Sequence, residues 1–224
     1  MLGIITGLTD EADLLVDPPQ TVRVRCDGMG PKRARDAACA LVKEGCGGLI
    51  SFGIAGGLDA HLRPGTVVLA DRVLDDRGGS WATDEEWRER LYAQVRKNVR
   101  TVEGTLTGSG HVVTTPLAKR QLEKKTGAVA VDMESDAVAR VAEEAGLPFL
   151  VVRAISDPAW TTIPRVALKG VDAAGRRQVW AVVRALARRP SDLPGLLRLR
   201  MDSGKAMKAL GRVTAWTDGT FAFR

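Results

Sequence analysis

The chain has 224 residues, of which 45% are hydrophobic and 27% are charged, a composition typical of a globular protein with a substantial core. It contains no apolar run near the roughly 20 residues that a membrane-spanning helix needs. The three cysteines show no C-x-x-C spacing, so we expect reduced thiols in a cytoplasmic protein rather than a disulfide framework or a metal site. A strand pattern follows Met1 directly, which predicts that no secretory signal is present.

The net charge of +6 is compatible with a nucleic-acid or acidic-membrane partner, and the positions of the basic residues distinguish between the two. The single tyrosine and the four phenylalanines do not alternate with basic residues, as a base-stacking surface requires. The sequence therefore argues against nucleic-acid binding. The basic excess lies late in the chain, at Arg176, Arg177, Arg184, Arg188, Arg189, Arg198, Arg200, Lys205, Lys208 and Arg212.

Strands and helices alternate in the first part of the chain. Residues 2–6 form an apolar strand pattern, and Glu11 falls in the first turn of the helix pattern that follows. An acid there is commonly explained by the helix dipole, but it also stands where the first strand ends, next to a potential ligand crevice. Residues 20–26 predict a second strand, and a helix is expected to start at Pro31 and to stop at Gly45.

The next segment combines a buried strand, residues 49–52, with a glycine-rich stretch. Gly53, Gly56 and Gly57 predict a tight loop whose backbone amides approach a ligand closely, although many turns need glycine merely to turn. A turn that contains a solvated histidine, His61, then leads to another strand.

An amphipathic helix is predicted within residues 75–100, because Trp87, Leu91 and Val95 repeat at a spacing of four and indicate core packing. A further strand and a Gly-Ser-Gly bend follow. The short helix after that bend spans 117–125.

Residues 129–158 predict a strand, a helix and a strand. We expect these two strands to be parallel neighbours with a right-handed connection. Since ligands collect at the carboxyl ends of such strands, Glu134 and Asp157 are expected to face one crevice. Taken alone, the S-D-P string favours a capping or turn role for Asp157, and a capping role likewise explains Glu134. The combination of the two acids favours a functional role for both. Residues 160–212 then predict a loop over the site mouth and two basic helices, which complete a single α/β domain spanning 1–212. Residues 213–224 show no usable pattern, so the sequence leaves the order of this tail open.

Four motifs in this order, GIITGLTDEADLL, FGIAGGLDAHLRPGTVV, AVDMES and VVRAISDPA, resemble the nucleoside phosphorylase and nucleosidase superfamily over roughly residues 1–160. That superfamily includes methylthioadenosine/S-adenosylhomocysteine nucleosidases and purine nucleoside phosphorylases. In finer detail the chain resembles the hopanoid-associated phosphorylases. The resemblance implies one domain with a mostly parallel, twisted, partly barrel-like sheet surrounded by helices, a homo-oligomer, and cleavage of a purine–ribose N-glycosidic bond without a cofactor.

The same resemblance assigns roles to the motif residues. Asp157 is expected to protonate or hydrogen-bond the purine at N7, and Glu11 to position and deprotonate the attacking water. Glu134 is expected to bind the ribose hydroxyls, Met133 to pack on the sugar or base, and Arg153 to hold the water or a phosphate. Acid–base pairs of this kind suit a cationic sugar and an electron-rich leaving group. The other expected substrate-binding residues are Ile54, Ala55, Gly56, His111, Val112, Val113 and Ser156.

Two departures from the family pattern bear on the nucleophile. Ile54 stands where nucleosidases commonly carry serine, so a hydroxyl near the water is missing. The first loop lacks the arginine with which hexameric phosphorylases bind phosphate, and Glu11 repels an anion there. The charge pattern therefore favours water over phosphate. For His111 the sequence leaves two interpretations open, a pocket-lining residue or a loop histidine satisfied by its neighbours.

The branch resemblance points to adenosylhopane, an adenosine with a triterpenoid on its 5′ carbon, as the substrate. Val179, Trp180, Val183 and Leu186 form one apolar side of a basic helix, which either rests on an anionic bilayer or packs on the sheet. Alternative functions are a phosphorylase with phosphate as co-substrate, a methylthioadenosine/S-adenosylhomocysteine nucleosidase, and a non-catalytic nucleoside-binding protein. The presence of Glu11, Glu134 and Asp157 together argues against the last of these.

Overall fold

The computed structural model describes residues 1–15, 18–170, 172, 174–176 and 178–223. Strands and helices alternate through most of this chain, as the sequence pattern predicts, and three short 3₁₀ turns join them. The strands are β1 (Leu2–Ile5), β2 (Val22–Arg25), β3 (Gly48–Gly57), β4 (Val67–Leu74), β5 (Ser80–Ala82), β6 (Thr101–Gly108), β7 (Ala130–Asp132) and β8 (Phe149–Asp157). The helices are α1 (Thr9–Ala12), α2 (Pro31–Lys43), α3 (Glu85–Val95), α4 (Pro116–Thr126), α5 (Ser135–Ala145), α6 (Val179–Arg188) and α7 (Leu193–Trp216).

The sheet closes on itself. Strand β3 pairs with β8, β8 with β4, β4 with β6, β6 with β7, and β7 returns to β3, which makes a five-stranded barrel-like core. Strands β1 and β2 extend the sheet from β3, and β5 extends it from β4. Most of these pairings are parallel, so the expected α/β class with a mostly parallel, partly barrel-like sheet surrounded by helices is confirmed.

The expected pairing of the two strands within residues 129–158 is wrong. Strand β3 lies between them: it runs parallel to β8 along its length and antiparallel to β7 at Gly56 and Gly57. Barrel closure is the physical reason, because β7 closes the barrel against the far end of β3 rather than against the strand that follows α5. The loop after β7 and the end of β8 nevertheless reach the same crevice, where both Glu134 and Asp157 lie.

The glycines of the second motif do not form a loop, contrary to expectation. Gly53, Gly56 and Gly57 belong to the long strand β3, which changes register between Ala55 and Gly56. Because they lack side chains, these glycines let neighbouring side chains approach the backbone of β3 closely. A Cβ on Gly53 would lie 2.4 Å from Arg153 Nη1 and 2.5 Å from Glu11 Oε1, so only glycine fits between this strand and the charged groups beside it.

The core confirms the predicted stripe of α3, whose Trp87, Leu91 and Val95 are buried. The sequence leaves the order of the tail after residue 212 open, and the structure packs this tail against the core. That boundary falls inside α7, and Phe221 is fully buried, with its carbonyl accepting a 2.7 Å hydrogen bond from Trp87 Nε1. The ring of Phe223 packs 4.8 Å from that of Trp87. Aromatic burial therefore orders a segment that has no periodic pattern.

The late basic region forms α6 and α7, as expected, with Arg177 and the side chain of Val179 outside the described residues. On α6 the side chains of Trp180 and Val183 are exposed, so this face does not pack on the sheet. Within the described ranges, no helix is both long and apolar enough to cross a bilayer.

Candidate active site

One pocket of about 150 Å³ opens where β1, β3, β7 and β8 end. The residues that line it are Gly7, Leu8, Glu11, Met29, Ile54, Ala55, Gly56, His111, Val112, Val113, Val131, Asp132, Met133, Glu134, Ser156, Asp157 and Ile163. All residues expected at the site are among them except Arg153. The sequence interpretation missed the contributions of Met29, from the turn before α2, and of Ile163, from the loop after β8.

Glu11 lies at one side of the pocket, in the short helix α1 that follows β1. Its carboxylate accepts hydrogen bonds from the backbone N–H groups of Gly7 and Leu8, both at 3.0 Å, and from that of Ile54 at 2.9 Å. Burial raises the pKa of this carboxyl, and the nearby Arg153 and the three amides counteract that rise. Three fixed backbone donors thus orient this buried carboxylate beside the Arg153 guanidinium.

Glu134 follows β7 and reaches the start of α2. Its Oε1 accepts a 2.9 Å hydrogen bond from the N–H of Gly30, the residue just before that helix, where the helix dipole favours negative charge. Burial raises the pKa of Glu134 to about 7, with Arg153 opposing the rise and Asp132 adding to it. Burial therefore favours the protonated form of this acid more than water does, while the Arg153 guanidinium favours its carboxylate.

Arg153 is buried behind the pocket rather than in it. Its Nε lies 2.6 Å from Asp132 Oδ2, and its Nη2 lies 3.3 Å from Glu134 Oε2 and donates to Ser51 Oγ at 2.8 Å. Its guanidinium contacts carboxylates that line the pocket, and its expected contact with the water or a phosphate stays a prediction. Arg153 belongs to the middle of β8, where its side chain is buried.

Asp157 ends β8 at the opposite wall. Ser156 Oγ donates to its Oδ1 at 2.7 Å, and Lys119 Nζ lies 2.5 Å from its Oδ2. Burial raises the pKa of this carboxyl, and the Lys119 ammonium and the Ser156 hydroxyl oppose the rise. Gly56 leaves room for the carboxyl, since a Cβ there would lie 3.2 Å from Oδ2.

Lys119, on α4, is the charged residue that sequence reasoning overlooked. Its side chain is fully buried, although a lysine in a short polar helix is normally solvated. The available signal was helical spacing: Lys119 stands one turn before Leu122, which packs against the buried cluster of Leu58, Ala128 and Val131.

The rest of the pocket is apolar, and its mouth is open. Val112 is 37% exposed, and His111 beside it is exposed as well. Of the two interpretations of His111, its place in the pocket lining supports the first. The backbone N–H of Ile163 donates to Thr114 O at 2.8 Å, which ties the loop after β8 to the same rim.

A closed α/β barrel with an acid-lined pocket at its strand ends is suited to bind a small molecule. The chain belongs to the phosphorylase superfamily, which matches residues 19–187. A curated relative is the 5′-methylthioadenosine/S-adenosylhomocysteine nucleosidase of Mycobacterium bovis, 29% identical over 58% of this chain and 67% of the relative. Together these matches identify an enzyme that cleaves N-glycosidic bonds of nucleosides.

Solved structures share the fold. The nucleosidase of the same name from Neisseria meningitidis, in complex with methylthio-immucillin-A, matches with a TM-score of 0.70 at 17% identity, over 95% of this chain and 97% of that one. The futalosine hydrolase of Helicobacter pylori matches with a TM-score of 0.64 at 18% identity, over 70% of this chain and 87% of that one. At these identities the likeness concerns the fold alone.

Proposed function

We propose that this protein hydrolyses the N-glycosidic bond of a 5′-substituted adenosine and releases adenine, with Asp157 and Glu11 as its catalytic residues. One observation carries the proposal: both carboxyls, each with a pKa raised by burial, line one largely apolar pocket. Groups poised in this way are the ones that transfer protons near neutral pH. The nucleosidase relative acts on adenosine derivatives by its name, which supports the same substrate class.

The chemistry assigns the two walls of the pocket to the two halves of the reaction. Asp157 faces the purine and stabilises the electrons that the N9 atom gains when the glycosidic bond breaks, by a proton or a hydrogen bond at N7. Glu134 accepts the ribose hydroxyls, with Met133 packed beside the sugar. Glu11 takes a proton from the water that attacks the cationic sugar. Holding sugar and water in place supplies much of the rate, and hydrolysis needs no cofactor.

Water rather than phosphate is the proposed nucleophile. Among the described residues, those that line the pocket include Glu11, Asp132, Glu134 and Asp157 but neither lysine nor arginine. The nearest guanidinium, that of Arg153, already contacts two of these carboxylates. A phosphate would therefore enter an acidic pocket without a free cation to bind it.

Adenine release is expected to be independent of phosphate. The wild type, assayed by adenine absorbance after product separation, should release adenine at the same rate in phosphate-free buffer and with about 50 mM phosphate, a concentration well above the KM values of about 1 μM–1 mM that are usual for enzymes. Matched ionic strength with sulfate controls for salt. A rate that rises tenfold or more with phosphate, with ribose 1-phosphate as product, would establish the phosphorylase alternative and overturn the hydrolase.

For the 5′ group we propose the triterpenoid of adenosylhopane. The open mouth at Val112 and the apolar side chains of Met29, Val113 and Ile163 suit a large hydrophobic substituent that continues beyond the pocket. The same pocket accommodates a small methylthio group, so the two substrates are compared directly. A kcat/KM for adenosylhopane at least tenfold above that for methylthioadenosine supports the hopanoid branch. A higher kcat/KM for methylthioadenosine would contradict the triterpenoid substrate and leave a nucleosidase that acts on small 5′-substituted adenosines.

A substrate of this kind resides in a membrane, and we propose that this protein is cytoplasmic and touches the inner membrane surface through α6 and α7. Trp180 is 81% exposed and Met201 is 66% exposed, both beside arginines. Thr9 N and Oγ1 both donate to Gly175 O at 3.3 Å, which holds the segment before α6 against the pocket wall. We also propose a homo-oligomer, to be measured by light scattering.

Binding to anionic vesicles is the expected consequence of these exposed groups. Co-sedimentation with phosphatidylglycerol vesicles at low salt should retain the wild type, and Trp180→Ala should reduce the bound fraction several-fold, since an interfacial tryptophan and basic residues both contribute to such binding. Trp216→Ala is the matched control, because that tryptophan is also exposed but lies at the far end of α7. Wild type that stays in the supernatant would exclude the membrane contact.

A further inference from the structure

The contact between Lys119 and Asp157 joins two buried charges at the edge of the proposed active site. The ammonium lies 2.5 Å from Asp157 Oδ2 and also donates to the carbonyl oxygens of Asp157, at 3.0 Å, and Pro158, at 2.9 Å. All three of its hydrogens are thus directed at two consecutive residues. The side chain itself is fully buried, and that of Asp157 is 7% exposed.

Stability alone is a poor reason for such an arrangement. Bringing an ammonium and a carboxylate out of water costs several kcal/mol per ion, which their attraction repays only with very good geometry. Apolar residues of similar volume usually stabilise a fold as well or better. The lysine at this position is therefore best explained by what it does to the carboxyl.

We propose that Lys119 is a positioning residue for the glycosidic cleavage: it fixes the Asp157 side chain and its main chain together, and it compensates the charge of the carboxyl that faces the leaving base. The inference rests on the proposed function. Ser156 holds Oδ1 while Lys119 holds Oδ2, so the plane of the carboxyl is determined from both sides. Each oxygen keeps a lone pair that can accept a hydrogen bond from a protonated ring nitrogen or from the exocyclic amine of the purine.

The ammonium also adjusts the acid. Burial alone drives the pKa of the Asp157 carboxyl upward, and Lys119 is the main group that limits this rise. Other titratable groups around the pocket are Glu11, Asp132, Glu134 and His111, but the hydrogen bonds of the carboxyl run to Lys119 and Ser156. A catalytic acid works best when its pKa lies near the working pH.

A double-mutant cycle on adenine release from methylthioadenosine tests the proposal. Lys119→Met should lower kcat about 100-fold with a smaller change in KM, the size expected from misplacing a catalytic group by about 1 Å. In the Asp157→Asn background the same substitution should change kcat less than threefold, because its effect operates through Asp157. Lys124→Met, an exposed lysine of the same helix, is the matched control. Effects that multiply would show an independent structural role and overturn the proposal.

The pH profile supplies a readout that a loss of packing does not move. Without the ammonium, the limb of the kcat/KM profile that Asp157 governs should shift to higher pH, and Lys119→Gln, which keeps a donor but no charge, should shift it likewise. An unmoved limb in a folded variant overturns the proposal, and so does a Lys119→Met enzyme as active as the wild type. If the wild type released no adenine from methylthioadenosine or adenosylhopane, the proposed function itself would fail, which is a distinct result.

Discussion

Asp157→Asn is expected to lower kcat for adenine release by about 1,000-fold while the protein stays folded. An amide of the same shape keeps an acceptor for Lys119 but has no proton to give to the leaving base, and general acids contribute about 10²–10⁴-fold. The measurement is steady-state adenine release from methylthioadenosine, with thermal unfolding recorded on the same samples.

Asp136→Asn is the matched control for this substitution. Burial likewise raises the pKa of Asp136, to about 6, yet that residue lies on α5 outside the pocket lining. It should retain activity within a factor of two or three. If Asp157→Asn kept more than a third of the wild-type kcat, Asp157 would not be the catalytic acid. The proposed acid–base pair of Asp157 and Glu11 would then be wrong.

Arg153→Met is expected to give the largest loss of stability, about 3–5 kcal/mol in the free energy of unfolding, because it leaves buried carboxylates without their cation. The guanidinium contacts Asp132 and Glu134 and lowers the pKa of Glu11 as well. Urea unfolding measures the loss, and Arg200→Met, an exposed arginine of α7, should change stability by less than about 0.5 kcal/mol.

The stability lost in Arg153→Met is expected to increase with pH. The pKa of Glu134 is raised from 4.5 to about 7 in the fold, so its contribution to stability is present below about pH 4.5 and is lost as the pH rises to about 7. Removing Arg153 raises this pKa further, which extends the loss to higher pH. The difference between wild type and variant should therefore be larger at about pH 8 than at about pH 5. A difference that shrinks with rising pH would contradict this account of the network.

The acidic residues of the site were predictable from the sequence, because each can be placed by the short segment around it. Glu11, Glu134 and Asp157 each follow a predicted strand, and strand ends gather ligand-binding groups, so their common pocket follows from short-range pattern alone. The α/β class and the buried stripe of α3 follow from periodicity in the same way.

The pairing of strands that are distant in the sequence could not be predicted from the local pattern of apolar and polar residues. Nothing local shows that β3 inserts between β7 and β8, because a strand's partners depend on how the whole sheet closes. Lys119 was missed for a related reason: its residue type predicts solvent exposure, and only the partner carboxyl of Asp157, far along the chain, explains its burial. The order around Phe221 likewise depends on Trp87, a residue of another element.

The pairing of β3 with β8 has a consequence for how the protein reaches its native state. Leu49 pairs with Phe149, so the longest strand pairing of the barrel joins segments that lie 100 residues apart in the sequence. The chain loses conformational entropy when this large loop closes, before the stabilising contacts between the two strands can form. Topologies with such distant contacts fold slowly. During biosynthesis β1, β2 and β3 can pair with one another, but β3 remains without β8 on its other side until that strand emerges. That delay leaves the apolar edge of β3 open to chaperones and to association with other nascent chains.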